Sequence, residues 1–594
     1  MRLGGWLVGA LCAATWGCTP QKGADQRSPD GAAGAQIEGE KPLKMAGDGP
    51  APAEGEAPKA KTIQPPVAPE KAPPASKRLA DLPAVETLLA KTKTHFEGHV
   101  TERVYVQVDK PLYRPGETIW IKHWDLRARD WKGPEGGGAA TYTLVSPKGA
   151  AVITKRVQQT DGLGTNDFEI PAGVQGGEYT VRVQAGAAKG QRKVIVSVYE
   201  PPRVKKKLEF VRKAYGAGDE VTATIEVKRP TGEPLANQAL TAVINLDGAE
   251  LPRVKLTTND DGGGLVRFHL PDTIERGDGL LTVLVEDGGV TESVSKRVPI
   301  ILKKLQFSLF PEGGKLVEGL ESRVYFEAKN TIGKPADVEG EVVDDQGNAV
   351  ATLRSVRDGL GRLTFTPNTG RTYRVRITRP VGVTETYPMP VAEKAGCVLR
   401  SFDDLDGQAD ALRVAVRCSE AQKAVVVAVQ QDKLIDAAAV EAGPDAPAVV
   451  YLKADDAALQ GARGVARVTV FDADLNPTAE RIVFRNRRNG LNVKITPDQE
   501  TYVPREQVAL KVQTTDAAGK PVPAELAVSV VDDTVISFAD DKHGHLLSKL
   551  LLEPEVPGKI EEPNFYFDLK EEKSAVAMDL LMGTRGWRKF DWQT

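Results

Sequence analysis

The side chains able to do chemistry are few and far apart. The six histidines stand at positions 95, 99, 123, 269, 543 and 545. His95 and His99 lie one helical turn apart, and His543 and His545 flank Gly544. Neither pair has the further ligands and supporting groups that a zinc site needs, so all six read as scattered surface histidines. Carboxylates sit beside glycine in three loops, Asp161-Gly162-Leu163-Gly164, Asp261-Gly262-Gly263-Gly264 and Asp358-Gly359-Leu360-Gly361. Calcium takes six or more oxygens. Each loop offers only one or two side-chain carboxylates, which is hairpin-turn chemistry. No Gly-x-Ser-x-Gly elbow and no phosphate loop occurs. The pattern points to no enzyme and to no cofactor or metal.

Cysteine and aromatic residues are the remaining candidates. Cys397 opens one apolar run (CVLRSF) and Cys418 closes the next (LRVAVRC). An antiparallel hairpin sets them opposite each other, and an exported compartment permits a disulfide. Two buried free thiols are the alternative. Trp120, Trp124 and Trp131 gather at the end of a strand pair, while Phe565, Tyr566, Phe567, Trp587 and Trp592 crowd the C-terminal region. Such side chains bind a peptide or sugar face, or they pack. Packing against a helix that starts at Asp81 is the expected fate of the three tryptophans. The C-terminal aromatics are expected to dock rather than dangle. All eight remain binding candidates.

The address is export. Arg2 precedes the apolar run Leu3–Trp16, which is too short to span a membrane. It leads to Thr15-Trp16-Gly17-Cys18, which resembles the lipobox of bacterial lipoproteins and marks Cys18 for lipidation. An ordinary cleaved signal is the alternative. Residues 19–80 are rich in Pro, Ala, Glu and Lys and cannot bury a core, so they read as a disordered tether. A net charge of -3 leaves no electrostatic footprint for nucleic acid.

The elements that must position these residues are short strands. In Val104–Ile121 (VYVQVDKPLYRPGETIWI) apolar residues alternate, stop at Pro111, turn at Pro115-Gly116 and resume. The three Asp-Gly loops recur 100 and 97 residues apart, each followed by an aromatic strand. Tyr113-Arg114-Pro115-Gly116-Glu117 is echoed by Tyr215-Gly216-Ala217-Gly218-Asp219 and Tyr502-Val503-Pro504-Arg505-Glu506. A period near 100 residues with alternating strands predicts an all-β tandem array of about five antiparallel, immunoglobulin-like sandwiches. The expected units are a signal (1–18), the tether (19–80) and a short helix (81–100), which docks on the first sandwich. Sandwiches follow at 101–200, 201–302, 303–393 and 394–487, with the first part of a fifth at 488–540. A helical, aromatic insertion or appendage occupies 541–594, with helices near Leu546–Leu552 and Ser574–Met582, the second ending at Gly583. The basic run Arg203–Lys207 reads as a solvated linker edge.

Two stretches carry a family resemblance. DKPLYRPGE at Asp109–Glu117 resembles the opening of the second macroglobulin domain of the α2-macroglobulin and complement family. AELAVSVVDDTV at Ala524–Val535 is similar to that family's sixth macroglobulin domain, just before its bait region. FPEGGKLVEGLESRVYFEA and MDLLMGTRGWRKFDW resemble macroglobulin-domain proteins of bacterial envelopes. The resemblance implies macroglobulin sandwiches and a protease-trapping activity. It also departs from the trapping pattern. A trapping thioester is Cys-Gly-Glu-Gln, whereas Cys397 precedes Val398-Leu399-Arg400 and Cys418 precedes Ser419-Glu420-Ala421. Covalent capture is therefore not expected. The expected function is a non-catalytic, lipid-anchored protein-binding scaffold at the outer membrane, periplasmic or surface-facing. Its partner would be an envelope receptor, transporter or protease. The alternatives are endopeptidase inhibition by thioester-independent steric trapping after cleavage in 536–573, and carbohydrate or peptidoglycan binding.

Overall fold

Alternation of apolar residues builds the sheets of sandwiches 1 and 2, while strands such as Ser322–Lys329 and Gln422–Gln430 are buried on both faces. The computed structural model describes residues 71–79, 83–134, 137–198, 203–402, 411–488, 490–532, 535–536, 539 and 544–585. Cys18, Asp81, Leu82, His543, Trp587 and Trp592 lie outside the described residues.

Sandwich 1 holds β1 (Glu102–Val108), β2 (Leu112–Tyr113), β3 (Thr118–Arg127), β4 (Gly138–Val145), β5 (Ala151–Gln159), β6 (Leu163–Glu169), β7 (Gly177–Ala185) and β8 (Ala188–Val196). One sheet has the order β1-β3-β6, and the other β2-β8-β7-β4-β5. Inward residues of both sheets, among them Val106, Val108, Ile119, Ile121, Tyr142, Phe168 and Val181, close the core.

Sandwiches 2, 3 and 4 repeat a three-stranded sheet against a larger one. In sandwich 2 the central strand Glu220–Lys228 pairs with Lys205–Phe210 and Gly263–His269. The basic run at 203–207 therefore enters a strand instead of forming a linker edge, and Lys206 pairs with Glu292. In sandwich 3 Ser322–Lys329 pairs with Gln306–Pro311 and Leu360–Phe365. In sandwich 4 Leu412–Cys418 pairs with Cys397–Ser401 and Ala448–Leu452. Its second sheet orders Lys433–Ala442, Gln422–Gln430, Gly464–Phe471 and Pro477–Arg485. Cys397 and Cys418 are register partners and are joined by a disulfide.

The repeated motifs have repeated bonds. Asp161-Gly162 and Asp358-Gly359 both carry positive φ at each residue, the geometry of a type I′ turn. The glycine carbonyls accept from Asp125 N at 2.7 Å, from Ala328 N at 2.9 Å and, at Gly262, from Val227 N at 2.8 Å. Tyr113 Oη donates to Asp109 Oδ1 at 2.6 Å, Trp120 N donates to the same oxygen at 2.9 Å, and Arg114 N donates to Glu117 Oε2 at 2.9 Å. The fifth unit repeats all three: Tyr502 Oη to Asp498 Oδ1 at 2.5 Å, Ala509 N to Asp498 Oδ1 at 3.0 Å, and Val503 N to Glu506 Oε2 at 2.8 Å. Among the described residues this unit has one sheet of two strands, Asn492–Pro497 and Leu510–Thr515.

Helix α1 (Pro83–Gly98) does not dock on the first sandwich. Its Leu88 and Val85 pack on Val425, Val427, Ala439 and Phe471 of sandwich 4. Ahead of it, residues assigned to the tether by composition are bonded to the same sandwich. Ser76 N donates to Val449 O and Leu79 N to Ala439 O, both at 2.8 Å, and Arg78 pairs with Asp436 at 2.6 Å. An apolar stripe such as Val85 and Leu88 specifies that a partner exists, but not which sandwich supplies it. A short helix, α2 (Ala457–Gln460), is capped by Asp456 in sandwich 4.

Candidate functional site

The segment 544–585 is where the repeat gives way, and it binds three sandwiches together. It begins at sandwich 1. Tyr105 Oη donates to Gly544 O at 2.9 Å, and Arg103 pairs with Glu555. The π turn Ser548–Leu552 sends Leu550 and Leu551 against Tyr105 and Trp124, with Trp131, Leu163 and Phe484 around them. Trp124 and Trp131 thus pack on this segment and not on α1. Arg103 lies over the Trp131 ring at 5.7 Å and Lys122 over Trp124 at 5.1 Å. Trp120 points outward and is 49% exposed.

The aromatic run forms a 3-10 turn, Pro563–Phe567. Tyr566 and Phe567 are buried, and Phe565 lies under the Arg357 guanidinium at 3.3 Å. Phe567 meets Phe484 edge-on and stacks on His545. Arg357 also pairs with Glu562 at 2.8 Å, tying the turn to sandwich 3. Burial pushes the Tyr566 hydroxyl well above its usual value, with Asp358 adding to the effect. These aromatics are therefore spent on packing.

Helix α3 (Ser574–Arg585) follows. Its sequence SAVAMDLLMGTR is apolar on every face, the signature of a helix buried all round. Val576, Ala577, Met578, Leu580, Leu581 and Met582 are all buried. Gly583 does not end the helix. It sits inside it, where a Cβ would strike the Tyr325 ring. Asp579 is the single acid of α3, and a buried carboxylate needs counter-charges. It receives Arg481 at 2.7 Å from sandwich 4 and Arg362 at 2.7 Å from sandwich 3. Tyr325 Oη donates to it at 3.2 Å, and Arg481 donates to Tyr325 Oη at 3.0 Å. Arg481 also pairs with Glu312 at 3.1 Å, and Glu312 accepts from Ser401 Oγ at 2.9 Å. Burial raises the Tyr325 hydroxyl far above its ordinary range. At the helix C-terminus Arg585 pairs with Glu327 at 2.7 Å.

This network was not singled out from the residue pattern, although a signal exists. Asp579 is the lone acid in an apolar helix, and Arg481 interrupts an apolar strand. A shallow cleft lies between α3 and sandwich 4, lined by Phe402, Leu412, Phe484, Arg487, Met578 and Met582. Arg487 Nη1 donates to Ser574 Oγ at 2.9 Å across one end. The arrangement can hold three sandwiches in one disposition; no group in it is poised as a nucleophile beside a base.

The histidines need one correction. His123 is buried in sandwich 1, not on the surface. It shares the inward parity of Ile119 and Ile121 on β3. Its Nδ1 lies 2.5 Å from Tyr142 Oη and its Nε2 2.9 Å from Gln159 Oε1, and Gln159 Nε2 donates to Asp125 Oδ2 at 3.2 Å. Burial lowers the imidazole below its usual value. His95 stacks on His99 at 4.5 Å, both exposed. Among the described residues no group of three His, Cys, Asp or Glu side chains is placed to hold a metal ion, and no helix is long and apolar enough to cross a membrane.

The MG2 domain family matches residues 103–197, which is sandwich 1. The chain is similar to a protein named alpha-2-macroglobulin from Ralstonia nicotianae, 23% identical over 484 residues, covering 73% of this chain and 30% of the relative. It is similar to another of that name from Thermotoga maritima, 23% identical over 295 residues, covering 47% of this chain and 19% of the relative. Among solved structures, trypsin-activated alpha-2-macroglobulin from Escherichia coli overlays with a TM-score of 0.39 at 14% identity, over 70% of this chain and 33% of that one. The chain spans less than a third of the length of the curated relatives it matches. The chain thus carries an MG2 domain as its first sandwich, and a likeness to bacterial proteins named alpha-2-macroglobulin runs through most of it.

Proposed function

We propose that the protein is a non-catalytic, lipid-anchored binding scaffold of the cell envelope, tethered through Cys18 at the outer membrane and holding a protein partner there. The observation that supports this over trapping is the burial of 544–585. A protease cleaves a segment that it can draw out into its own cleft. Here the aromatic turn and α3 are woven into sandwiches 1, 3 and 4 by buried ion pairs and apolar contacts. A segment built this way holds domains in place and is a poor substrate.

Steric inhibition of an endopeptidase is the second reading, and it is favoured by the likeness to proteins named alpha-2-macroglobulin. Limited proteolysis of the full chain separates the two. The scaffold reading expects cuts within 536–573 to come late, with no protease retained. An early cut there, with a change in electrophoretic mobility and co-eluting protease, establishes trapping instead. Crosslinked pull-down from envelopes then tests for a partner.

A further inference from the structure

The fifth unit reproduces the opening of sandwich 1 at an offset of 389 residues, bond for bond at Asp498, Tyr502 and Glu506. The environments then diverge. Val106 is 3% exposed, and its counterpart Ile495 is 38%. Ile119 is fully buried, and its counterpart Val508 is 40% exposed. In the ribbon Asn492–Pro497/Leu510–Thr515, the cross-strand pairs Val493–Thr514, Ile495–Val512 and Pro497–Leu510 make one apolar face. That face is of the kind that forms half a sandwich core. In sandwiches 1, 2 and 3 the strand equivalent to Leu510–Thr515 takes a further antiparallel strand on its second edge, β6 in the first case. Among the described residues Leu510–Thr515 takes no such strand: Thr515 bridges to Pro521 and Thr514 O accepts from Val522 N at 3.1 Å on that edge, while Leu510–Gln513 have no backbone partner there.

Charge indicates what would fit. The polar face of the ribbon carries Lys494 and Lys511 and no acid. The counterpart of Lys511 is Lys122, which is answered by Glu525. Lys511 has no ion-pair partner among the described residues. An added strand that places acids near it would supply the missing carboxylate, since diagonal cross-strand neighbours are within reach of long side chains.

We propose that the edge at Leu510–Gln513 accepts an extended segment of another envelope protein by β-strand addition, apolar residues turned onto Ile495, Val508 and Val512 and Asp or Glu turned toward Lys511. Main-chain hydrogen bonds supply affinity in this mode, and the alternating side chains supply selectivity. An open edge beside an apolar face is otherwise a liability that folds cover or blunt. The proposal deepens the scaffold reading by naming its surface.

The probe is a synthetic peptide of residues 160–170 (TDGLGTNDFEI), the strand that completes the equivalent ribbon in sandwich 1. It is titrated into the full-length protein by fluorescence anisotropy. Saturable binding is expected, weakened at least about tenfold by Val508→Asp and by Lys511→Glu, with Lys511→Glu also reducing the salt dependence. Both positions face solvent, and unchanged melting of each variant confirms folding. No binding, or binding indifferent to both variants, overturns the proposal. A dimer in sedimentation that Val508→Asp disperses also overturns it, because the occupant is then a second copy. Envelope pull-down tests the scaffold and this titration tests the surface, so either can fail alone.

Discussion

Arg481 and Asp579 meet at 2.7 Å in a seam where both side chains are buried. Arg481 comes from the last strand of sandwich 4, Asp579 from α3, and Arg362 of sandwich 3 reaches the same carboxylate. One acid therefore fixes three parts of the protein. Replacing it removes a buried carboxylate from two guanidinium groups, Arg362 and Arg481, of which Arg481 keeps Glu312. Asp579→Ala should destabilise the assembly by about 3–5 kcal/mol, as removal of one member of a buried pair does. Arg297→Ala, which breaks an exposed pair with Asp278, should cost under about 1 kcal/mol. Urea unfolding of both variants beside the parent protein checks the contrast.

Tyr566 fills the space under α3 and carries its ring, not its hydroxyl, as the main contribution. Tyr566→Ala should cost about 3–5 kcal/mol through the cavity left behind. It should also bring forward tryptic cleavage at Lys559, Lys570 and Lys573. Tyr566→Phe should behave much like the parent in the same digest.

The Cys397–Cys418 bond spans 21 residues and lies within the core of sandwich 4. Closing a loop of that size stabilises by roughly 3 kcal/mol in the chain-entropy description. Cys397→Ser/Cys418→Ser should lower the urea midpoint accordingly. Reductant should lower the midpoint of the parent protein and leave that of the double variant unmoved.

His123 gives sandwich 1 an acid limit. Burial holds the imidazole below its ordinary value, so the unfolded chain takes up a proton before the folded one does. Stability is full above the unfolded histidine value of about 6.5 and is lost as pH falls through that value toward the depressed one. The urea midpoint should fall between about pH 7.5 and pH 5.5, and His123→Asn should flatten that fall. An imidazole signal from His123 that titrates like a free histidine would contradict the assignment.

Much of the architecture is legible in residue patterns because strand alternation and turn chemistry are local. The Asp-Gly loops, the Tyr113 turn and the Cys397–Cys418 register each depend on neighbours within one sandwich. What joins distant parts is not local. The α1 stripe of Val85 and Leu88 fits any apolar sheet face, and only the folded chain selects sandwich 4. Trp124 and Trp131 were bound to pack, but their partner lies more than 400 positions away at Leu550 and Leu551. Gly583 reads as a helix stop in isolation, whereas the Tyr325 ring it admits decides otherwise. His123 shows the opposite failure, since its parity on β3 marks it as inward and its polarity argued against that.

The central claim is that 544–585 is a structural clasp. Hydrogen exchange of the intact protein, followed by mass spectrometry, addresses it directly. The peptide covering Ser574–Arg585 should exchange as slowly as the core strand Pro477–Arg485 beneath it, and Asp579→Ala should release the first while sparing the second. Exchange of Ser574–Arg585 within seconds in the unaltered protein would mean that the segment is not held, and the clasp would have to be abandoned.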